Sequence, residues 1–216
     1  MKLYLSSYRL GNDVEVLKDW VKSNKRIMVI PNALDVFADG ERKTSGILDK
    51  CKDLQDLGFE TPILDLRDYF NKENELREYL QNENSFYVLG GNVFVLRQAM
   101  KLSGFDNYLN DISKLDNYLY AGFSAGICVL AKDLHGIHLA DEPEQDPYSY
   151  GSIIWDGVGL IDYMPVPHYD TPNHPESHLM DDVVKYLQYN KLPYRTLHDG
   201  DVIIESTITK NKSFSQ

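Results

Sequence analysis

The chain has 216 residues, 43% of them hydrophobic and 25% charged, with 33 acidic against 22 basic side chains and a formal charge of −11. That length and balance suit one domain, residues 1–216, with a full hydrophobic core, and they exclude a wholly disordered chain. The negative field repels polyanions and no Lys/Arg-rich run offsets it, so nucleic acid is excluded as a partner.

Residues 2–5 read as a strand, and Val14, Leu17 and Val21 have helical spacing. RIMVIP, from Arg26, reads as a buried strand ended by Pro31. Residues 44–57 predict a helix with Ile47, Leu48, Cys51, Leu54 and Leu57 on one face and Gly58 as its C-terminal cap. PILDL from Pro62 is a strand, and 76–80 lie in a helix. SFYVLGG from Ser85 is a strand running into a double glycine, and 92–102 are a helix that Asn92 caps. YLYAG from Tyr118 is a strand, and SAGICVLA starts a helix. Strand-helix repetition to this point predicts a parallel sheet covered on both faces. Residues 136–151 read as a long surface loop. SIIW from Ser152, PVPH from Pro165, YRTLH from Tyr194 and DVIIES from Asp201 read as strands, with one helix at 177–189 among them. Residues 210–216 are polar, lack apolar rhythm and are expected to be disordered.

Gly122-Phe123-Ser124-Ala125-Gly126 fits G-x-S-x-G between a strand and a helix. Such a turn holds a nucleophile in a strained conformation with its hydroxyl clear of the sheet, and the flanking residues are small because strand and helix pack closely. Gly90-Gly91-Asn92 likewise follows a strand and opens a helix. If the two strands are neighbours, both turns lie at the carboxyl edge of the sheet, where Gly91 and Ala125 N–H groups form an oxyanion hole. A phosphate cradle is the competing reading, but neither G-x-x-x-x-G-K-[ST] nor G-x-G-x-x-G is present.

A serine needs a base, and the chain has six histidines. His135 and His138 fall in a polar region, and His174 and His178 in a loop and a helix start. His168 and His198 lie at strand ends, where a base is rigidly placed, and the residues alone leave both open. The His135/His138 and His174/His178 spacings suit metal binding, but no H-E-x-x-H and no cysteine cluster accompanies them, so no metal and no cofactor is expected.

YVLGGNVFVLRQAM, GFSAGICVLA and PVPHYD, in that order, resemble the signatures of the aspartyl dipeptidase (dipeptidase E) and cyanophycinase family of serine peptidases. The resemblance implies a class I glutamine amidotransferase-like fold: α/β, a mostly parallel central sheet flanked by helices on both faces, a three-layer sandwich. It implies Ser124 as nucleophile, His168 as the catalytic histidine and Asp199 in the place of the acid, with Asp141 as the alternative acid in the loop after the nucleophile helix. Asn92 and His178 are expected to face the substrate. The family holds an N-terminal aspartate through an arginine after the catalytic histidine. TPNHPESHLMDD contains none and His178 stands near that place, so strict aspartyl dipeptidase activity is not expected.

The reading is therefore a peptidase cutting a small peptide or isopeptide-like amide, with pairing into a homodimer left open. Its rivals are a non-catalytic, amidotransferase-like module binding a small ligand, and a small-acyl esterase. Cys51 and Cys128 are too few for a disulfide scaffold, no stretch suits a signal peptide or a membrane span, and a reduced cytoplasmic protein is the expectation.

Overall fold

A computed structural model describes residues 1–21 and 25–210. The elements in chain order are β1 (Lys2–Ser6), α1 (Val14–Val21), β2 (Met28–Ile30), a 3-10 turn (Asn32–Val36), α2 (Glu41–Asp56), α3 (Glu73–Tyr79), β3 (Ser85–Val88), α4 (Val93–Ser103), α5 (Phe105–Ile112), β4 (Leu119–Phe123), α6 (Ala125–Cys128), β5 (Met164–Val166), α7 (Ser177–Tyr189), β6 (Tyr194–Thr196), β7 (Val202–Ser206) and α8 (Thr207–Lys210). Of the tail expected to be disordered, Lys210 ends α8 and the rest lies outside the described residues.

The central sheet runs β2-β3-β4-β1-β7. Its first four strands are parallel, and β7 closes the edge antiparallel to β1. Alternation along each strand explains the layers. Leu3, Leu5, Met28, Ile30, Phe86, Val88 and Tyr120 face a core shared with α4, α5 and α6. Tyr4, Val29, Tyr87, Leu89, Leu119, Ala121 and Phe123 face the other core, with Leu17 and Val21 of α1 and Cys51 and Leu54 of α2. Strands buried on both faces read as continuous apolar runs, as they do here. The fold is α/β with a mostly parallel central sheet between helical layers.

Several expectations shift. PILDL forms only a bridge at Ile63, although Val29 N–H donates to Pro62 O and Leu64 N–H to Val29 O along the flank of β2. SIIW is not a strand; Trp155 O instead accepts from Leu134 N–H. β5 and β6 pair in a separate two-stranded parallel sheet. The helix after Ser124 is a single short turn, and α5 had no counterpart in the reading of the sequence. Leu48, placed on the buried face of α2, is 54% exposed, because Cys51 and Leu54 alone turn fully inward. Cys51 and Cys128 are free, buried and in different cores. Among the described residues no helix is long and apolar enough to cross a membrane.

Candidate active site

Ser124 joins β4 to α6 at φ 52° and ψ −122°, a conformation that L side chains rarely adopt. Close packing on every side of the turn holds it there. A Cβ on Gly126 would lie 2.3 Å from Val88 O, and one on Gly122 would lie 2.9 Å from the same oxygen. The Tyr120 hydroxyl, buried beneath, donates to Gly126 O at 2.5 Å and fixes the first turn of α6. The small residues of the motif are therefore required by the approach of β3 to α6.

The glycine pair after β3 lies against this turn. A Cβ on Gly90 would sit 2.9 Å from Ser124 Cβ, and one on Gly91, at φ 146°, would sit 2.3 Å from Ala33 O. Among the described residues, neither Gly91 N–H nor Ala125 N–H donates to any group. The start of α4, by contrast, is fully satisfied. Asn92 Oδ1 accepts from Phe94 N–H at 2.9 Å and Val95 N–H at 3.0 Å, and Asn92 Nδ2 donates to Glu142 O at 2.9 Å. The Asn92 amide is thus engaged at both ends as a helix cap and a loop anchor, the capping half of which its sequence position indicated.

Asp141 Oδ2 accepts from Val93 N–H at 2.7 Å. Burial pushes this carboxyl up to about 7 against the pull of that hydrogen bond, and Glu176 adds to the rise. Asp141 thus serves the start of α4. The 136–151 loop is fastened down rather than free, because Tyr148 donates to the buried Asp35 carboxylate and Gln98 Nε2 to Gln145 O.

His168 follows β5 at φ 57° and is only 2% exposed. Its Nδ1 lies 2.7 Å from Asp199 Oδ1, which leaves Nε2 as the nitrogen open to other partners. Its main-chain N–H donates to Ser7 Oγ at 2.8 Å, and Ser7 Oγ donates to Asp199 Oδ1 at 3.0 Å. These bonds place the imidazole at the same sheet edge as Ser124. Ser7 directly follows β1, which pairs with β4 in a register that sets Ser6 opposite Phe123, so the next residues along are Ser7 and Ser124. The Tyr8 ring spans the gap, with its centroid 6.2 Å from Phe123 and 6.0 Å from His168. Cys128 Sγ donates to Pro165 O and ties α6 to the strand that leads into His168.

His174 stacks on His168, with ring centroids 3.7 Å apart and planes 1° from parallel. Burial lowers the His168 pKa from its ordinary value and His174 lowers it further, while Asp199 and Glu176 raise it. The net lowering keeps the imidazole neutral near pH 7, the form that accepts a proton. The ligating atoms of His168, His174 and Asp199 lie within 4.8 Å of one another, a spread that could hold a cation. Parallel stacked rings, however, send their in-plane lone pairs side by side instead of converging them, and His168 Nδ1 already faces Asp199.

His178 is exposed on the first turn of α7, and His198 is exposed with Nδ1 3.3 Å from Asp170 O. His135 stacks on Trp155 at 4.2 Å, and His138 meets Trp155 edge-on at 5.5 Å. Reasoning from sequence missed Ser7 and Tyr8, and weighed His174 only as a loop histidine and half of a metal-binding spacing. Ser7 and Tyr8 directly follow the first strand, at the edge where such sheets place their sites, and that position was the available signal.

The family model described as peptidase family S51 matches residues 7–208. The uncharacterized peptidase Lmo0363 of Listeria monocytogenes serovar 1/2a is 29% identical over 147 residues, covering 68% of this chain and 66% of that protein. The uncharacterized peptidase Lin0382 of Listeria innocua serovar 6a is 32% identical over 92 residues, covering 42% of each chain. Both matches span less than two thirds of the relatives' lengths. In structure, a candidate peptidase E protein from Listeria monocytogenes EGD-e aligns with TM-score 0.73 and 23% identity over 95% of this chain and 98% of that one. A peptidase from an acI-B1 Actinobacterium aligns with TM-score 0.64 and 18% identity over 95% and 83%. At these identities the structural likeness concerns the fold.

Proposed function

We propose that this chain, which belongs to peptidase family S51, hydrolyses a small peptide or isopeptide-like amide through a serine nucleophile. In this reading Ser124 attacks the carbonyl carbon. His168 Nε2 takes the serine proton and later gives it to the leaving amine, and a water then repeats the sequence to release the acid. Asp199 orients His168 and stabilises the imidazolium. The unengaged N–H groups of Gly91 and Ala125 receive the oxyanion. The observation that carries the reading is the His168–Asp199 pair at 2.7 Å, hydrogen-bonded to Ser7 at the end of β1, the strand that pairs with the one leading into Ser124. Asp199 is favoured as the acid over Asp141 because its carboxylate meets His168, whereas Asp141 meets the Val93 N–H.

The surroundings also bear on the substrate. His174, Asp199 and Glu176 act on His168, and Glu176 acts on Asp141. The stretch after His168, residues 171–182, holds no arginine or lysine, so it offers an aspartate side chain no cationic clamp and a neutral first residue fits better. The test is a dipeptide and acyl-ester library scanned at the first residue with the native protein and Ser124→Ala. Hydrolysis of dipeptides with a neutral first residue, lost in the variant, is the expected result. Peptide hydrolysis that persists in Ser124→Ala overturns the mechanism, and turnover of esters alone makes the protein an esterase.

A further inference from the structure

Ser7 has no part in the mechanism above, yet its hydroxyl hydrogen-bonds to both His168 and Asp199. It is 0% exposed at the end of β1. Its oxygen accepts from the His168 N–H at 2.8 Å and its proton goes to Asp199 Oδ1 at 3.0 Å, with Leu197 O farther away at 3.4 Å. A hydroxyl has one proton, and the bond to the carboxylate is the shorter and the charge-assisted one, so Asp199 receives it. Asp199 Oδ1 therefore stands between two donors, Ser7 Oγ and His168 Nδ1 at 2.7 Å. His168 has a left-handed backbone, φ 57°, which a non-glycine residue holds only when its surroundings fix it. Ser7 supplies an acceptor for the N–H of that same residue.

We propose that Ser7 is a positioning residue for the reaction: through one hydroxyl it locks the His168 backbone and the Asp199 carboxylate to the end of β1, beside the strand that carries Ser124. This inference rests on the serine-hydrolase reading. It requires a side chain that accepts and donates at once in a fully enclosed place, which alanine cannot do and threonine can. Ser6 provides an internal control. It is equally buried at the last position of β1, but its hydroxyl donates to Tyr8 O at 3.1 Å and is hydrogen-bonded to neither His168 nor Asp199.

The experiment compares Ser7→Ala, Ser7→Thr and Ser6→Ala with the native protein on its best peptide substrate, and records the low-field proton resonance of His168 Nδ1–H. Ser7→Ala is expected to lower kcat about 10–100-fold, the loss of one hydrogen bond to a charged group, with KM changed less than about twofold. Its low-field resonance moves upfield or vanishes. Ser6→Ala keeps native kcat and the native resonance, and Ser7→Thr restores most of kcat if it folds. The Ser7→Ala and Ser6→Ala pair decides the matter even if the threonine variant does not fold. A Ser7→Ala protein whose kcat and resonance match those of Ser6→Ala overturns the inference. Failure of the hydrolase reading is a separate result, full activity in His168→Ala.

Discussion

Asp199→Asn removes one charge and little else, which makes its effect calculable. The pair is enclosed, with side chains 2% and 20% exposed. Ser7 donates to the same oxygen that His168 meets, so an asparagine will keep its carbonyl oxygen at that position and its amide nitrogen on the far side. The Nδ1–H tautomer is thereby preserved and the loss is electrostatic. A carboxylate about 4 Å from the charge of an imidazolium contributes about 4 kcal/mol at an effective dielectric near 20. At about 1.36 kcal/mol per tenfold, kcat/KM falls on the order of 10^3. Loss of the tautomer as well would take it nearer 10^4. The acid limb also moves. Asp199 raises the His168 pKa against burial and His174, so without the carboxylate that pKa falls further and the limb shifts to lower pH. The assay is kcat/KM against pH for both proteins. An asparagine variant that keeps more than about a tenth of native activity, or whose limb moves up, refutes the reasoning. If Asp141→Asn alone abolishes activity, the acid is Asp141.

Three further outcomes follow from the geometry. In Gly91→Ala the new Cβ would lie 2.3 Å from Ala33 O at φ 146°, so both activity and thermal midpoint fall, the latter by roughly 2–4 °C for each kcal/mol of strain. Differential scanning fluorimetry with the peptide assay reads both, and a native midpoint contradicts the packing described. The Asp141 carboxyl is raised from its ordinary value near 3.8 to about 7 in the folded chain, so it favours folding at low pH and that contribution is lost as pH rises through about 7. Asp141→Asn keeps an oxygen for the Val93 N–H, and its midpoint should gain on the native one as pH rises between those values; parallel curves contradict the burial. His174→Phe keeps a ring against His168 without charge, and the acid limb of kcat/KM should move up as the His174 influence is removed. An unchanged limb means that the stack does not act on the base.

The four parallel strands were legible because they are buried on both faces and read as short continuous apolar runs. Residues 85–91 and 118–126 announced two strand-to-helix turns, and their adjacency in the sheet follows from parallel pairing of β3 and β4. PILDL and SIIW carry the same apolar letters but lie along flanks where a single bridge or one hydrogen bond suffices, so composition overstated them. α5 was missed although Phe105, Tyr108, Leu109 and Ile112 have helical spacing, because Asp and Asn residues crowd that stretch. At the site, the strained turn at Ser124 was readable from local motif and spacing. The meeting of His168, Asp199 and Ser7 joins three distant segments through tertiary contacts, and no local pattern encodes which hydroxyl or carboxylate will arrive. The stacking of His174 on the imidazole is likewise a tertiary contact that spacing along the loop does not encode.

The most direct test is covalent. A fluorophosphonate probe is incubated with the native protein, Ser124→Ala and His168→Ala, and the adduct is located by peptide mass spectrometry. One adduct per chain on Ser124, absent from Ser124→Ala and formed far more slowly in His168→Ala, is the result this account predicts. Labelling at another serine, or equal rates with and without the imidazole, would contradict it.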